Sequence, residues 1–123
     1  GLKPSASSDA PVSEVNPFPG LYAMLTRRTA TGRVLGAGET LTARQALAAF
    51  TEFGAYANRA EHRVGRLAPG LSADLAVFSH DLLTASPEEI LHEARCDLTI
   101  LDGEVVHDRE GETADAPARR AAP

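Results

Sequence analysis

Apolar residues recur at helical spacing near the beginning of the chain. They follow a segment rich in proline and glycine and lie three or four positions apart, at Leu21, Met24 and Leu25. The run ends at the basic pair Arg27-Arg28, whose charges suit the carboxyl end of a helix. The pattern therefore predicts a short helix in this region.

A second helical pattern begins at Thr42. Gln45 stands three positions later, and these two residues have the spacing of a capping box. The pattern predicts a helix over residues 43–53, a break at Gly54 and a further helical piece up to residue 57. An apolar stripe along these helices is expected to pack in the core, and it consists of Leu47, Phe50, Phe53 and Tyr56.

The second half of the chain has the pattern of short strands joined by tight turns. The turn signals Pro69-Gly70 and Asp102-Gly103 separate the apolar runs "GRL" from "ADLAVF", and "DLTIL" from "EVVH". Between these turns, Ser86, Pro87 and Glu89 combine a capping box with proline at the first helical position. We therefore expect one more helix among the strands.

Both ends of the chain are unusual for a self-sufficient domain. Residues 1–8 have the pattern of the end of a strand that lacks a partner, and four short strands are fewer than a closed barrel or a two-sheet sandwich needs. Residues 109–123 are rich in Glu, Gly, Ala, Pro and Arg without periodicity, which predicts a disordered tail. These features lead us to expect a fragment of a longer protein.

The composition narrows the classes of function. The chain has 123 residues, 43% of them hydrophobic, and its 12 basic and 17 acidic residues give a net charge of −5. This balance argues against a nucleic-acid partner. No apolar run reaches the roughly 18 residues of a membrane span and no signal-peptide pattern is found, so we expect no membrane partner and a cytoplasmic location. The single cysteine, Cys96, is interpreted as a packed or surface thiol.

Four stretches of the sequence resemble a known enzyme family. They are "SSDAPVSEVNPFPGLYAMLTRR", "LTARQALAAFTEFGAYA", "GRLAPGLSADLAVFSHDLLT" and "LTILDGEVVHD". Together, over about residues 3–108, they resemble the last third of a metal-dependent amidohydrolase of the amidohydrolase-3 type, a group that includes N-substituted formamide deformylases. The most specific piece is residues 65–75, which match the family's phrase Gly-x-Leu-x-Pro-Gly-x-x-Ala-Asp-Leu at every named position.

The resemblance implies an α/β fold class, namely the C-terminal fragment of a (β/α)8 TIM-barrel amidohydrolase together with part of its composite β-sandwich. Residues 1–62 would then hold the last barrel strand and the helices that follow it. Residues 63–108 would be the C-terminal strands of the composite β-sandwich. Within the first part, residues 1–8 would be the eighth barrel strand, with Asp9 at its carboxyl tip, where barrel enzymes carry their catalytic groups.

The resemblance assigns Asp9 the candidate catalytic and metal-binding role. Hydrolysis of an amide-like C–N bond needs an activated water and an acid for the leaving nitrogen, and a bound Zn²⁺ lowers the pKa of its water to about 7. In such enzymes the aspartate of the eighth strand contacts the metal, takes a proton from the water and delivers it to the leaving amine. Without the resemblance, the residues favour interpreting Asp9 as a turn residue or a helix cap over a catalytic role.

Other polar residues have structural interpretations. Asp74 belongs to the conserved-looking phrase but is expected to bracket a turn in the sandwich, away from the metal. The four histidines have no metal-ligand spacing, so a site made from them alone is not expected, and they are His62, His80, His92 and His107.

One carboxylate does not hold a catalytic zinc, which uses about three protein ligands. We therefore expect a divalent metal, Zn²⁺ by preference, whose other ligands lie outside this chain, so that the chain alone is inactive. The expected partner is a small amide-type substrate, and a homo-oligomer of the full-length protein stays open. The alternative is a stand-alone, non-catalytic α+β interaction module, in which Asp9 is only a turn residue.

Overall fold

The computed structural model describes residues 1–111, so most of the tail predicted over residues 109–123 lies outside the described residues. The helices are α1 (Phe18–Thr26), α2 (Ala43–Phe50), α3 (Glu52–Ala57) and α4 (Pro87–His92), with a short 3₁₀ helix at Ala37–Glu39. The strands are β1 (Leu75–Phe78), β2 (Cys96–Leu101) and β3 (Glu104–Asp108). The described chain thus mixes helices and strands, as part of an amidohydrolase domain is expected to do.

Helix α1 confirms the first helical pattern and begins earlier than the apolar spacing indicated, at Phe18. Proline in the first turn favours this start, because its fixed φ suits a helix and its missing N–H is not needed there. The helix ends where Arg27 adopts a left-handed conformation with φ of 55°, and the Arg27 N–H closes the last turn on the carbonyl of Ala23.

Helices α2 and α3 confirm the second helical pattern but correct its break. The Thr42–Gln45 capping box is complete in both directions, as predicted. The interruption falls at Thr51, with φ of −124° and ψ of −88°, whereas Gly54 lies inside α3. The Thr51 hydroxyl donates to the carbonyl of Leu47 at 2.8 Å, a local bond that competes with continuation of the helix.

The apolar stripe of α2 and α3 is less buried than predicted. The buried positions are alanines, at Ala46, Ala49 and Ala55. Leu47 and Phe50 are only half-buried. The prediction is wrong for Tyr56, which is 50% exposed and carries the Lys3 ammonium 4.5 Å from its ring centroid.

The three strands form one antiparallel sheet in the order β1-β2-β3. Asp102 and Gly103 join β2 and β3 with φ of 50° and 85°, which confirms the predicted hairpin turn. The predicted strand at "GRL" is wrong, since residues 65–67 form no strand. Leu67 is 86% exposed and Gly65 has a φ of 100°, so this segment is neither covered nor extended as a strand requires.

The hydrophobic core lies where α1 meets α2 and α4. The Phe18 ring meets the Phe78 ring edge-on, with 5.8 Å between centroids, and so connects the helices to β1. Ile90 of α4 is 1% exposed and is the largest fully buried side chain among residues 1–111. The buried cluster consists of Phe18, Leu21, Ala46, Leu82, Ile90 and Ala94.

Residues 1–9 form no strand, in contrast to the expectation for residues 1–8. A strand needs a neighbour to pair with its backbone, and the described chain places none beside this segment. Its backbone is instead tied to α2, because the Ala6 N–H donates to the carbonyl of Ala49 at 2.9 Å. Its role as a barrel strand, which would require strands on both sides, stays a prediction.

Helix α4 begins at the predicted capping box, with both halves formed between Ser86 and Glu89. The Ser86 N–H donates to the Glu89 carboxylate at 2.7 Å, and this bond, aided by the Ser86 side chain and the nearby His80, lowers the pKa of Glu89. The pKa of Glu89 is therefore lower in the folded chain than in the unfolded chain. The ionised carboxylate stabilises the fold at pH values above the unfolded-state pKa, and this stabilisation is lost as the pH falls through the folded-state pKa.

We expect this capping box to give helix α4 a pH dependence. In urea titrations, Glu89→Ala should unfold at a lower urea concentration than the parent chain. This difference should be largest at neutral pH and should shrink between about pH 5 and pH 3. Glu88→Ala, in the same turn but outside the box, is the matched control and should change less. A Glu89→Ala difference that stays constant down to pH 3 would contradict the assignment.

Candidate functional site

The candidate site is the turn that carries Asp9. Asp9 has a φ of 58°, a left-handed conformation that aspartate tolerates better than most residues. The Val12 N–H donates to the Asp9 carbonyl at 2.8 Å and closes the turn, which contains a cis peptide bond between Ala10 and Pro11. The fixed φ of Pro11 suits this turn, so the turn character of Asp9 is confirmed for its backbone.

Two serine hydroxyls bind the peptide group that precedes the Asp9 Cα. The Asp9 N–H donates to Ser7 Oγ at 3.1 Å. The Ser13 hydroxyl donates to the carbonyl of Ser8, which belongs to the same peptide group. The sequence interpretation missed both serines, although Ser residues near an Asp in a turn are a known signal for such side chain to backbone bonds.

Hydrogen bonds connect the segment around the turn to a helix at each of its ends. On its N-terminal side Ala6 is bonded to the end of α2, as described above. On its C-terminal side the Asn16 side chain accepts the N–H of Phe18 at 3.0 Å, at the start of α1. The turn therefore spans the gap between the end of one helix and the beginning of another.

A cavity of about 320 Å³ opens beside this turn. Ser8 and Ser13, which flank the turn, both line it, and the ring of Phe50 contributes an apolar wall. A Cβ at Gly20 would lie 3.0 Å from Phe50 Cζ, so the glycine leaves room for that ring. The lining residues are Ser7, Ser8, Ser13, Glu14, Asn16, Pro19, Gly20 and Phe50. Ser13, Glu14 and Asn16 belong to the segment between the turn and α1, and Pro19 and Gly20 to the first turn of α1.

The Asp9 carboxylate is exposed, and within residues 1–111 it has no hydrogen bond or ion pair. It is therefore free to bind a ligand. The described residues contain no group of three His, Cys, Asp or Glu side chains placed to hold a metal ion. Residues 1–111 therefore do not form a complete metal site around Asp9.

Two of the histidines and Cys96 lie next to polar atoms of their own chain. His62 is exposed, and His80 Nδ1 lies 2.9 Å from the hydroxyl of Ser79. His107 Nε2 lies 3.3 Å from the carbonyl of Cys96. The thiol of Cys96, half-buried in β2, lies 3.4 Å from the carbonyl of Leu98 and acts as a packed thiol.

Asp74 has the structural role that its position in the motif predicted. Its carboxylate accepts the N–H of Asp102 at 2.8 Å, and the Gly103 N–H donates to the carbonyl of Ala73 at 3.1 Å. The end of the motif is thereby bonded to the turn between β2 and β3. This confirms that Asp74 brackets a turn.

We expect Asp74→Ala to destabilise the chain by about 1 kcal/mol, because a charge-assisted hydrogen bond at an exposed site is lost. Asp74→Asn keeps an acceptor oxygen and should lose about half as much. The free energy of unfolding, measured by urea titration, checks both values. If Asp74→Ala unfolded at the parent's urea concentration, the bond to Asp102 would contribute nothing.

Comparison with known proteins gives two findings. The sequence profile of the Amidohydrolase family, of the amidohydrolase-3 type, matches residues 1–107. The chain is also similar to a protein of Bacillus subtilis (strain 168) named "Putative amidohydrolase YtcJ", with 28% identity over 112 residues, or 89% of this chain. The matched region is 21% of that protein's length. Among the described residues, none of the helices is long and apolar enough to cross a membrane.

Proposed function

Because the chain belongs to the amidohydrolase family, we propose that it is the C-terminal part of a metal-dependent hydrolase that cleaves a non-peptide C–N bond, of the amide or formamide type. Asp9 is the residue that contacts the metal and acts as general acid and base. The observation that supports this proposal is the Asp9 carboxylate, which has no hydrogen bond or ion pair within residues 1–111. It lies on a hydrogen-bonded turn next to a cavity, within the residues that match the family profile.

The chemistry of Asp9 fits one ligand of a divalent metal. A carboxylate oxygen is a common ligand of Zn²⁺ and of harder divalent cations. Members of this family are generally metal-dependent, and Zn²⁺ is the cation that we propose. A catalytic zinc site uses about three protein ligands. Since residues 1–111 offer no group of three, the remaining ligands belong to other parts of the enzyme.

The reaction adds water to the carbonyl carbon and breaks the C–N bond, giving a carboxylic acid and an amine. When bound, a divalent cation supplies Lewis acidity for the water and the carbonyl. The Asp9 carboxylate accepts the proton that the attacking water loses. It then returns that proton to the leaving nitrogen, so that the nitrogen departs as a neutral amine. The cavity lined by Phe50 and by the serines that flank the Asp9 turn is the proposed space for the substrate.

The division of the chain follows from the same proposal. Residues 1–62 would complete the barrel that holds the metal, and residues 63–108 would complete the composite β-sandwich. The antiparallel sheet and the bond from Asp74 to the β2–β3 turn support a structural role for the second part. The chain by itself would be inactive, because it matches only 21% of its relative's length and supplies one ligand.

The experiment compares the complete gene product with the chain of 123 residues. Metal content is measured by mass spectrometry, and hydrolysis is measured on 4-nitroformanilide, which releases a coloured amine when its C–N bond is cleaved. We expect about one or two zinc ions and steady hydrolysis in the complete protein, and neither in the chain alone. A start codon at the point of the gene that encodes Gly1, with a product that binds a partner but neither holds metal nor hydrolyses the substrate, would favour the stand-alone module.

A further inference from the structure

Hydrogen bonds hold the backbone on both sides of Asp9. The peptide group between Ser8 and Asp9 has both of its polar atoms bound by serine hydroxyls, the N–H by Ser7 and the carbonyl by Ser13. The following peptide group is bound through the Asp9 carbonyl, which accepts the N–H of Val12 at 2.8 Å and that of Ser13 at 3.4 Å. Both dihedral angles of Asp9 are therefore fixed.

Fixing φ and ψ of a residue fixes the direction of its Cα–Cβ bond, and with it the region that its carboxylate can reach. The remainder of the Asp9 side chain is exposed and has no bond within residues 1–111. The orientation of the carboxylate thus depends on the backbone bonds, since no contact of its own holds it. Catalytic groups need such support, because a displacement of about 1 Å can reduce the rate about 100-fold.

We propose that Ser7 and Ser13 are positioning residues that hold the Asp9 carboxylate in its working orientation. This inference rests on the proposed function of Asp9. The two hydroxyls do not touch the substrate in this role. They act through the peptide group that precedes Asp9, in the manner of the outer groups that orient metal ligands.

The test uses the complete protein and 4-nitroformanilide. Ser13→Ala should lower kcat about 10-fold to 100-fold, with KM changed less than about threefold. Ser13→Thr restores a hydroxyl and should recover most of the loss. Ser5→Ala is the matched control, because Ser5 is an exposed serine of the same segment without a hydrogen bond within residues 1–111. Should Ser13→Ala fail to fold, Ser7→Ala makes the same test.

Two further measurements separate positioning from general stability. Combined with Asp9→Asn, the substitution Ser13→Ala should cause no additional loss of kcat, because its effect passes through the carboxylate. Hydrogen exchange in the metal-free protein should quicken in peptides that contain Asp9 and Val12, but not in peptides from β2. If Asp9→Asn is impaired while Ser13→Ala is fully active, this inference is overturned but the proposed function of Asp9 is not. A fully active Asp9→Asn overturns it together with the proposed function.

Discussion

Replacing Asp9 by asparagine in the complete protein is expected to lower kcat/KM by a factor of about 10² to 10⁴, the usual contribution of a general acid or base. The amide cannot accept a proton from water or return one to the leaving nitrogen. It is also a weaker metal ligand than a carboxylate, so the zinc content of the protein should fall or become more sensitive to chelators. Both quantities are measured on one preparation, by rate and by mass spectrometry.

Asparagine is the right substitution because it leaves the turn intact. Asp9 has a φ of 58°, and asparagine adopts this left-handed region as readily as aspartate does. The bond that the residue 9 N–H donates to Ser7 and the bond that its carbonyl accepts from Val12 involve only backbone atoms of residue 9 and are kept. A loss of activity can then be assigned to the carboxylate and not to the fold.

Asp102→Asn is the matched control for this prediction. Asp102 is also an exposed aspartate, with a φ of 50°, but it lies in the turn between β2 and β3. The substitution makes the same chemical change in the same backbone conformation, and activity should stay at the parent's level. Equal activity of Asp9→Asn and the parent protein would remove Asp9 from the mechanism.

The parts of the fold that the sequence predicted depend on residues close together in the chain. Each capping box depends on two side chains three positions apart. The sequence therefore predicts both boxes directly, Thr42 with Gln45 and Ser86 with Glu89. The Asp102-Gly103 hairpin turn is equally local, because it depends on which residues tolerate a positive φ.

The predictions that differ from the structure have local as well as long-range causes. A glycine inside a helix costs only about 1 kcal/mol, so Gly54 did not have to break the helix; the break lies at Thr51, whose hydroxyl donates to the carbonyl of Leu47. Tyr56 has the spacing of a core residue but lies under Lys3, from the opening segment of the chain. The segment over residues 1–8 has a strand-like sequence, and a strand forms only where another strand pairs with it.

The candidate site could be predicted only in part. The family resemblance assigned Asp9 its role, which stays a prediction, and its position in a turn was among the interpretations open from the residues alone. The two serine hydroxyls on its peptide group were not predicted, because the bond from Ser13 to Ser8 joins residues five positions apart through a side chain. Such a bond forms only once the chain reverses direction at the turn.

The second prediction with a large effect concerns the glycine that opens the family's motif. Gly65 has a φ of 100°, and a Cβ there would lie 2.5 Å from the Cβ of the buried Ala55 and 3.3 Å from the backbone of Glu52. Gly65→Ala should therefore destabilise the chain by about 2 to 5 kcal/mol, the sum of left-handed strain and overpacking. The free energy of unfolding measures the loss.

Gly70→Ala separates the two contributions. Gly70 has a φ of 87°, but a Cβ there meets nothing within 4 Å, so this variant should lose only the backbone part of about 1 to 2 kcal/mol. Adding Ala55→Gly to Gly65→Ala removes the clashing methyl group and should recover part of the overpacking cost, less about 1 kcal/mol for glycine in a helix. If Gly65→Ala lost no more unfolding free energy than Gly70→Ala, the motif's first glycine would be required only for its backbone conformation, and α3 would not lie against it. A larger loss that Ala55→Gly reduces would instead mean that the motif's first glycine is what allows α3 and the segment leading to β1 to pack in direct contact.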